Sequence, residues 1–191
     1  DAIGTSLGMM GGGGGEDALL KAGAMLLVVG GATSETGIGL GIAATALAML
    51  AADQVIKKTK ALIDEKYKDK IFVLYQKEKI LKDGTKLIYI GRSSGFGSPT
   101  DIVRKRDFGH HMKAKGYGDA VLLQEYTTNS YSAIRGSEQA LINRYFNLGI
   151  GGNAINGISP NNKNKSVYIE SAVEAFGSEL RDLLDDASWM K

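Results

Sequence analysis

The chain has no cysteine among its 191 residues. A disulfide framework and a cysteine-ligated zinc site are therefore excluded, and the protein can pass through reducing and oxidising surroundings alike. No uninterrupted apolar run reaches the 18 residues expected of a membrane-spanning helix, because glycines break both of the most apolar stretches. The chain begins at Asp1 without an initiating Met or a basic-then-apolar leader, which suggests a piece of a longer protein and leaves its localisation without a signal.

Glycine, by contrast, is abundant, and the 26 glycines concentrate in the first fifty residues and around 149–157. Residues 1–15 are typical of a flexible arm. Residues 18–32 and 37–52 carry one charge between them, Lys21, and the polar connector 33–36 predicts that they form two hydrophobic helices folded back on each other. Such a hairpin is either buried or makes transient contact with a membrane. The following residues are charged and helical in pattern, so we divide the chain into 1–15, 16–68 and 69–191.

Positive charge is concentrated in the middle of the chain although the net charge is only +2. Between Lys57 and Lys115 there are 16 Lys and Arg residues against 7 Asp and Glu, an excess of nine positive charges. The simplest interpretation is a solvated, lysine-rich face. The alternative is a surface that binds phosphate groups, as a protein acting on nucleic acid requires.

Periodicity predicts an α/β domain of the α+β type after residue 68. Two β-prone runs, 71–75 and 86–90, flank the turn signal Asp83-Gly84 and predict a hairpin. A basic helix is expected over 100–115 with Ser98 or Thr100 near its N-cap, then a strand over 120–126 and a helix over 131–146. A last, acidic helix is expected over 167–189. The predicted order β-β-α-β-α plus a C-terminal helix gives a small, mostly antiparallel three-stranded sheet flanked by helices and preceded by the hydrophobic hairpin.

Two strand segments with tyrosines carry a resemblance to a known family. Val73-Leu74-Tyr75 and Tyr89-Ile90-Gly91 resemble the two halves of the GIY-YIG nuclease motif. Downstream, Arg106 and His110 have the spacing of an arginine and a histidine on one face of the family's first helix. Further matches are Glu138 in the second helix and an asparagine in the loop beyond it, for which we favour Asn153 and keep Asn156 open.

The resemblance implies a nuclease that cleaves phosphodiester bonds with one divalent metal ion, Mg²⁺ or Mn²⁺. Glu138 would hold the metal, and Arg106 would supply a planar charged fork for phosphate, with Arg104 as a less favoured substitute. Tyr75 would take the proton of the attacking water or position that water, Tyr89 would share the site, and Arg92 would provide the nearby positive charge that ionising a phenol needs. His110 would hydrogen-bond to the tyrosine or to the substrate.

The arrangement of the chain also resembles the tip of a polymorphic toxin, as in rearrangement-hotspot or type VI secretion effectors, with a hydrophobic segment ahead of a C-terminal nuclease. This resemblance implies DNA as the substrate, delivery into the cytoplasm of a target cell, and a cognate immunity protein that holds the toxin in the cytoplasm of the producer. It also implies a chaperone or a carrier of the secretion apparatus that binds residues 16–56.

Two other functions are compatible with the sequence. Gly109-His110-His111 is similar to the GHH form of HNH nucleases, although those sites need further histidine or acidic ligands. The chain could also be a non-enzymatic DNA-binding module with a membrane-active N-terminal hairpin. Metal-dependent nicking of plasmid would distinguish an enzyme from a binding module. Loss of activity on alanine substitution of His111 but not of His110 would favour the GHH type of nuclease.

Overall fold

The computed structural model describes residues 37–185, and its side chains over 45–184. The predicted arm 1–15 and the first helix of the predicted hairpin, 18–32, lie outside the described residues. The stretch predicted as the second helix of that hairpin forms the first half of one long helix, α1, Gly37–Glu65. No helix in the described part of the chain combines the length and the apolar character needed to cross a membrane.

The sheet has three antiparallel strands, as the sequence predicts. β1, Ile71–Ile80, lies in the centre between β2, Lys86–Gly95, and β3, Val121–Thr128. The β1–β2 hairpin turns at the predicted Asp83-Gly84, where the Asp83 carboxylate accepts the Thr85 N–H at 2.9 Å and Gly84 has a φ of 86°. Strand pairing brings Tyr75 directly opposite Gly91.

Both faces of β1 are buried, because residues alternate between two layers of helices. Val73 and Tyr75 pack against Ile102 and Val103 of helix α2, Pro99–Asp107. Residues on the other face of the sheet pack against helix α3, Tyr131–Asn147, in a cluster of Phe72, Leu74, Ile88, Ile90, Ile134, Leu141 and Ile142. This double burial explains the continuous apolar run at the start of β1.

Helix α2 is shorter than the sequence predicts. Ser98 is its N-cap, with the Ser98 hydroxyl accepting the Asp101 N–H at 3.1 Å, but the helix ends at Asp107 instead of Lys115. Gly109 follows with a φ of 70°, a left-handed conformation that an α-helix cannot contain. The rest of the predicted helix is a turn and a short 3₁₀ segment, Lys113–Lys115.

The C-terminal region also differs from the prediction of one long helix. It forms two helices, α4, Lys165–Phe176, and α5, Glu179–Asp185, which are separated at Gly177, whose φ of 114° strongly favours glycine. The break lets Leu180 and Leu184 turn back into a cluster with Ala140 and Ile158. Helix α5 is therefore part of the core, and residues 186–191 lie outside the described part.

A compact unit that contains the sheet begins at Val55 and so takes in the end of α1. The Asp64 carboxylate accepts the Ser130 hydroxyl at 2.6 Å and the Ser132 N–H at 2.9 Å, which ties α1 to the start of α3. The sequence places the domain boundary at residue 69, because it shows the change of periodicity there but not this contact across more than sixty residues.

Candidate active site

Tyr75 lies in the centre of the candidate site, and its position depends on Gly91. The Tyr75 ring is fully buried and lies over Gly91 on the neighbouring strand. A Cβ at position 91 would stand 2.5 Å from both Cζ and Oη of Tyr75, which is closer than any real carbon contact. Because Gly91 of Tyr89-Ile90-Gly91 has no side chain, the Tyr75 phenol can occupy the space beside it.

His110 reaches Tyr75 from outside the helix on which it was predicted. Because α2 ends at Asp107, the prediction that Arg106 and His110 share one helix face is wrong. The Gly109 turn nevertheless brings His110 Nε2 to 2.8 Å from Tyr75 Oη, with the imidazole 5% exposed. His110 Nδ1 accepts the Met112 N–H at 3.2 Å, so in a neutral ring the proton is on Nε2 and is donated to the Tyr75 oxygen.

Burial lowers the pKa of His110 to about 4, with the nearby charge of Arg106 acting in the same direction. The imidazole is therefore neutral at physiological pH, which agrees with the tautomer that the Met112 N–H requires. His110 acts as a fixed donor to Tyr75 and not as a titrating group near pH 7. This tautomer leaves the hydrogen of the Tyr75 hydroxyl available for a third partner.

The exposed Arg106 interacts with the same phenol. Burial raises the pKa of Tyr75 above its ordinary value of 10.0, and the hydrogen bonding and charge of Arg106 lower it in part. Glu138 is also close enough for its charge to act on this pKa, in the raising direction. The Tyr75 oxygen thus lies between two donors, one buried and neutral, the other exposed and charged.

Tyr89 lies on β2, two residues before Gly91, and is half-buried. Burial raises the pKa of Tyr89 to about 12, and the charges of Tyr75 and Glu138 act in the same direction. Arg106 and Arg92 oppose the shift. These mutual effects show that two phenols, two guanidinium groups and one carboxylate lie in the same small region, although their positions in the chain span 64 residues.

Glu138 projects from α3 towards β2 and meets Arg92. The Arg92 Nε donates to Glu138 Oε2 at 2.7 Å, and the side chain of Glu138 is 12% exposed. Burial raises the pKa of Glu138, while the charge and hydrogen bond of Arg92 lower it in part. Desolvation is the larger effect, so the carboxylate is in surroundings where a further cation would stabilise its charged form.

Glu138 is the carboxylate of this group that could hold a divalent ion, beside its ion pair with Arg92. Gly157 passes the carboxylate without a side chain, and a Cβ there would stand 3.0 Å from Oε2. Mg²⁺ commonly uses one or two carboxylates and keeps several waters. Within residues 37–185 no group of three or more His, Asp and Glu side chains could hold a metal, so a cage made wholly of protein ligands is not part of the described site.

Asn153 supports the strand that carries Tyr89 and Gly91. Its Oδ1 accepts the Ile90 N–H and its Nδ2 donates to the Ile90 carbonyl, both at 2.8 Å. Just before it, Ile88 and Gly151 form an isolated parallel bridge. The Asn153 amide therefore extends this pairing along the outer edge of β2, with a side chain in place of a peptide group. Asn156 instead accepts from Gln139 at 3.1 Å.

Lys77 and Asp107 form a buried ion pair that the sequence analysis missed. Lys77 is fully buried on the same face of β1 as Tyr75 and donates to Asp107, the last residue of α2. Burial acts to raise the pKa of Asp107, but hydrogen bonds from Lys77 and Lys113 outweigh it and lower that pKa to about 2. A charged residue two positions after Tyr75, on a buried strand face, was the available signal for a partner.

Five of the seven residues predicted from the sequence lie in one connected group: Tyr75, Tyr89, Arg92, Arg106 and Glu138. His110 joins them by a route different from the predicted one, and Asn153 contacts the backbone of β2 with both ends of its amide. No family model, curated protein or solved structure matches the chain. Function must therefore be argued from the geometry of this site.

Proposed function

We propose that this protein is a metal-dependent nuclease of the GIY-YIG type that hydrolyses phosphodiester bonds of DNA. The observation that carries the proposal is the convergence of a buried phenol, two guanidinium groups and a carboxylate from β1, β2, α2 and α3. Cleaving a phosphodiester requires a positioned nucleophile, cationic groups for the non-bridging oxygens and stabilisation of the departing oxygen. The site contains a residue suited to each requirement.

Tyr75 is the group suited to handle the attacking water. Its oxygen accepts from His110 Nε2–H, and Arg106 adds a second favourable interaction with negative charge on the same oxygen. Both interactions favour the phenolate, whereas burial favours the phenol. Because burial is the stronger effect, Tyr75 is a phenol at neutral pH and orients water; the fraction able to accept a proton grows as pH rises towards its pKa. We expect cleavage to accelerate with pH between 7 and 9.

Arg106 and Arg92 are suited to the phosphate. Arg106 is exposed at the end of α2 and can present its planar fork to two oxygens of one phosphate. Arg92 is held by Glu138, which fixes the direction of its guanidinium. Glu138 would hold the cation, which would neutralise phosphate charge and stabilise the departing 3′ oxygen.

The geometry does not favour the GHH alternative. Both ring nitrogens of His110 already have hydrogen-bond partners, in Tyr75 and in the backbone of Met112. The ring of His111 stacks on that of His110 with centroids 4.6 Å apart, so the pair does not present two nitrogens to one ion. An HNH-type site would require histidine ring nitrogens that are free to bind one metal ion together.

Delivery as an antibacterial toxin remains part of the proposal on the strength of the sequence. The partners it requires are a DNA substrate, an immunity protein and a chaperone or secretion carrier for residues 16–56, with transient membrane contact as a further possibility of the apolar segment. Growth arrest on expression that is relieved by a neighbouring small gene product would support this part. Harmless expression of an active nuclease would contradict it.

The test of the enzymatic proposal is nicking of supercoiled plasmid with Mg²⁺ or Mn²⁺, with and without chelator. We expect Glu138→Gln to lower the rate of metal-dependent nicking by at least about 100-fold, since the substitution removes one metal ligand and the group that orients Arg92. Glu125→Gln removes an exposed carboxylate of β3 and is the matched control. Mn²⁺ binding, measured by water proton relaxation, should weaken in Glu138→Gln alone. Nicking that persists in Glu138→Gln, or that ignores chelator, would remove the proposal.

A further inference from the structure

Phe108 is the most exposed large apolar residue among those whose side chains the structure describes, at 90%. It stands between two buried residues, Asp107 and His110, in the turn that ends α2. The backbone there is held on both sides, because the Phe108 N–H donates to Arg104 O at 3.2 Å and the His110 N–H donates to Asp107 O at 3.1 Å. The ring is thus presented by a fixed turn and not by a loose loop.

The surroundings of Phe108 are open. Among the residues that the structure describes, none but the chain neighbours of Gly109 has an atom within 4 Å of the position that a Cβ would take there, so no described residue covers the tip of the turn. Two other aromatics that could stack on nucleic-acid bases, Tyr117 and Tyr126, are buried and half-buried. Exposing a phenyl ring to water forgoes the free energy that its burial would supply. The exposed ring on this hydrogen-bonded turn is therefore available for contact with a bound partner.

The charge around this ring is positive. Arg104, Lys105 and Arg106 are exposed in the last turn of α2, and the buried Asp107 separates them from Phe108. Asp101 forms an ion pair with Arg104 at 2.7 Å, and Asp107 pairs with Lys77 and Lys113. The positive excess of the segment 104–108 therefore comes from Lys105 and Arg106. A planar apolar ring beside cationic side chains matches a polyanion that also carries flat apolar groups, as nucleic acid does.

We propose that Phe108 stacks on a base of the nucleic acid next to the cut phosphate, and that the preferred substrate has an unpaired or unstacked base at that position. The proposal rests on the nuclease function, because Arg106, two residues away, is the phosphate-binding side chain of that site. Bases within an intact duplex already stack on their neighbours, so an exposed ring gains most from a base that lacks one. An acidic protein could match the charge, but nucleic acid is favoured because Phe108 follows the phosphate-binding Arg106 by two residues, in the turn that ends α2.

The experiment measures binding without cleavage. The full chain carrying Glu138→Gln is titrated with a fluorescent 12-nucleotide single strand and with the duplex of the same sequence, in chelator and at fixed salt. Phe108→Ala and Phe108→Leu should each weaken single-strand binding by about 5- to 100-fold, whereas Phe108→Trp should retain it. The matched control is Phe96→Ala, since Phe96 is 67% exposed at the other end of α2. Thermal unfolding of all variants should be unchanged.

Three outcomes would overturn the proposal. Unchanged single-strand affinity of Phe108→Ala would show that the ring does not contact the nucleic acid. Full affinity of Phe108→Leu would show an apolar contact without stacking. An equal loss in Phe96→Ala, or an equal loss for the duplex, would show a general effect of the surface. Plasmid nicking by the unsubstituted chain is measured in parallel. If the chain nicks plasmid but Phe108→Ala binds the single strand normally, only this inference is contradicted. If Phe108→Ala weakens single-strand binding but the unsubstituted chain does not nick plasmid, only the nuclease function is contradicted.

Discussion

The contact between Gly91 and Tyr75 allows a strong prediction about one methyl group. In Gly91→Ala the new Cβ would stand 2.5 Å from Tyr75 Cζ and Oη, and 2.9 Å from Cε2. Carbon atoms pack best at about 3.5–4.0 Å, so the ring must withdraw by about 1 Å. Tyr75 is fully buried in a sheet covered on both faces, and withdrawal therefore disturbs its neighbours.

The magnitude follows from two losses. Overpacking of a buried site typically costs about 1–3 kcal/mol, and loss of the 2.8 Å hydrogen bond to His110 adds about 1 kcal/mol. For a unit of this size, a total near 3 kcal/mol lowers the melting temperature by roughly 10 °C. Cleavage should fall by about 100-fold, since an error of 1 Å in a positioned group has an effect of that order.

Thermal unfolding and plasmid nicking measure the two effects. Gly118→Ala is the matched control, because a Cβ there would make only an ordinary contact, 3.6 Å from Glu78 O. Adding Tyr75→Leu to Gly91→Ala removes the ring that causes the clash, so the double variant should be more stable than the sum of the single effects implies. It should remain inactive. If Gly91→Ala melts within about 2 °C of the unsubstituted protein and nicks at the same rate, the described packing of Tyr75 is incorrect.

Three further predictions concern the structure around the site. Gly136→Ala should prevent folding or lower the melting temperature by more than 10 °C, because its Cβ would stand 2.1 Å from a backbone carbonyl oxygen of α4; a near-normal melting curve would refute the close α3–α4 crossing. Asn153→Asp replaces the amide donor to the Ile90 carbonyl with a carboxylate oxygen, so nicking should fall by at least about tenfold while Mn²⁺ affinity stays unchanged; loss of Mn²⁺ affinity would instead make Asn153 a metal ligand. His110 has a pKa of about 4 in the folded state, below its ordinary 6.5, so the folded state binds fewer protons and its stability must decline as pH falls from about 6.5 to 4. The free energy of unfolding in urea should show this decline in the unsubstituted protein and a smaller one in His110→Gln. An equal decline in both proteins would count against a buried neutral imidazole.

The local pattern of the chain was sufficient to predict most of the fold. β-prone runs and helical periodicity identified the starts of the three strands and both ends of helix α3 to within about a residue, because these elements bury a regular part of their own sequence. β1 and β2 each continue five residues beyond the predicted ends. The Asp83-Gly84 turn and the Ser98 cap act through neighbouring backbone groups, so they too can be recognised locally. The spacing of tyrosine, arginine, histidine and glutamate was sufficient to nominate site residues.

The ends of α2 and of the C-terminal helix could not be predicted in the same way. Gly109 and Gly177 adopt left-handed or related conformations, yet a single glycine is often tolerated inside a helix, and nothing local distinguishes the two situations. At the first, the buried pair of Lys77 and Asp107 fixes the end of α2. At the second, Leu180 and Leu184 reach the core only if the chain turns.

What the sequence determined by itself is therefore the set of elements and the residue types suited to a phosphodiester site, since these depend on near neighbours along the chain. Only the tertiary structure decided that Gly91 makes room for Tyr75, that His110 donates to the same phenol from outside the helix, and that Asn153 continues the edge of β2. Each of these is a contact between residues that lie 16 to 63 positions apart in the chain. The physical reason is that steric exclusion, hydrogen-bond direction and desolvation depend on distances in space, which strand pairing and helix packing set.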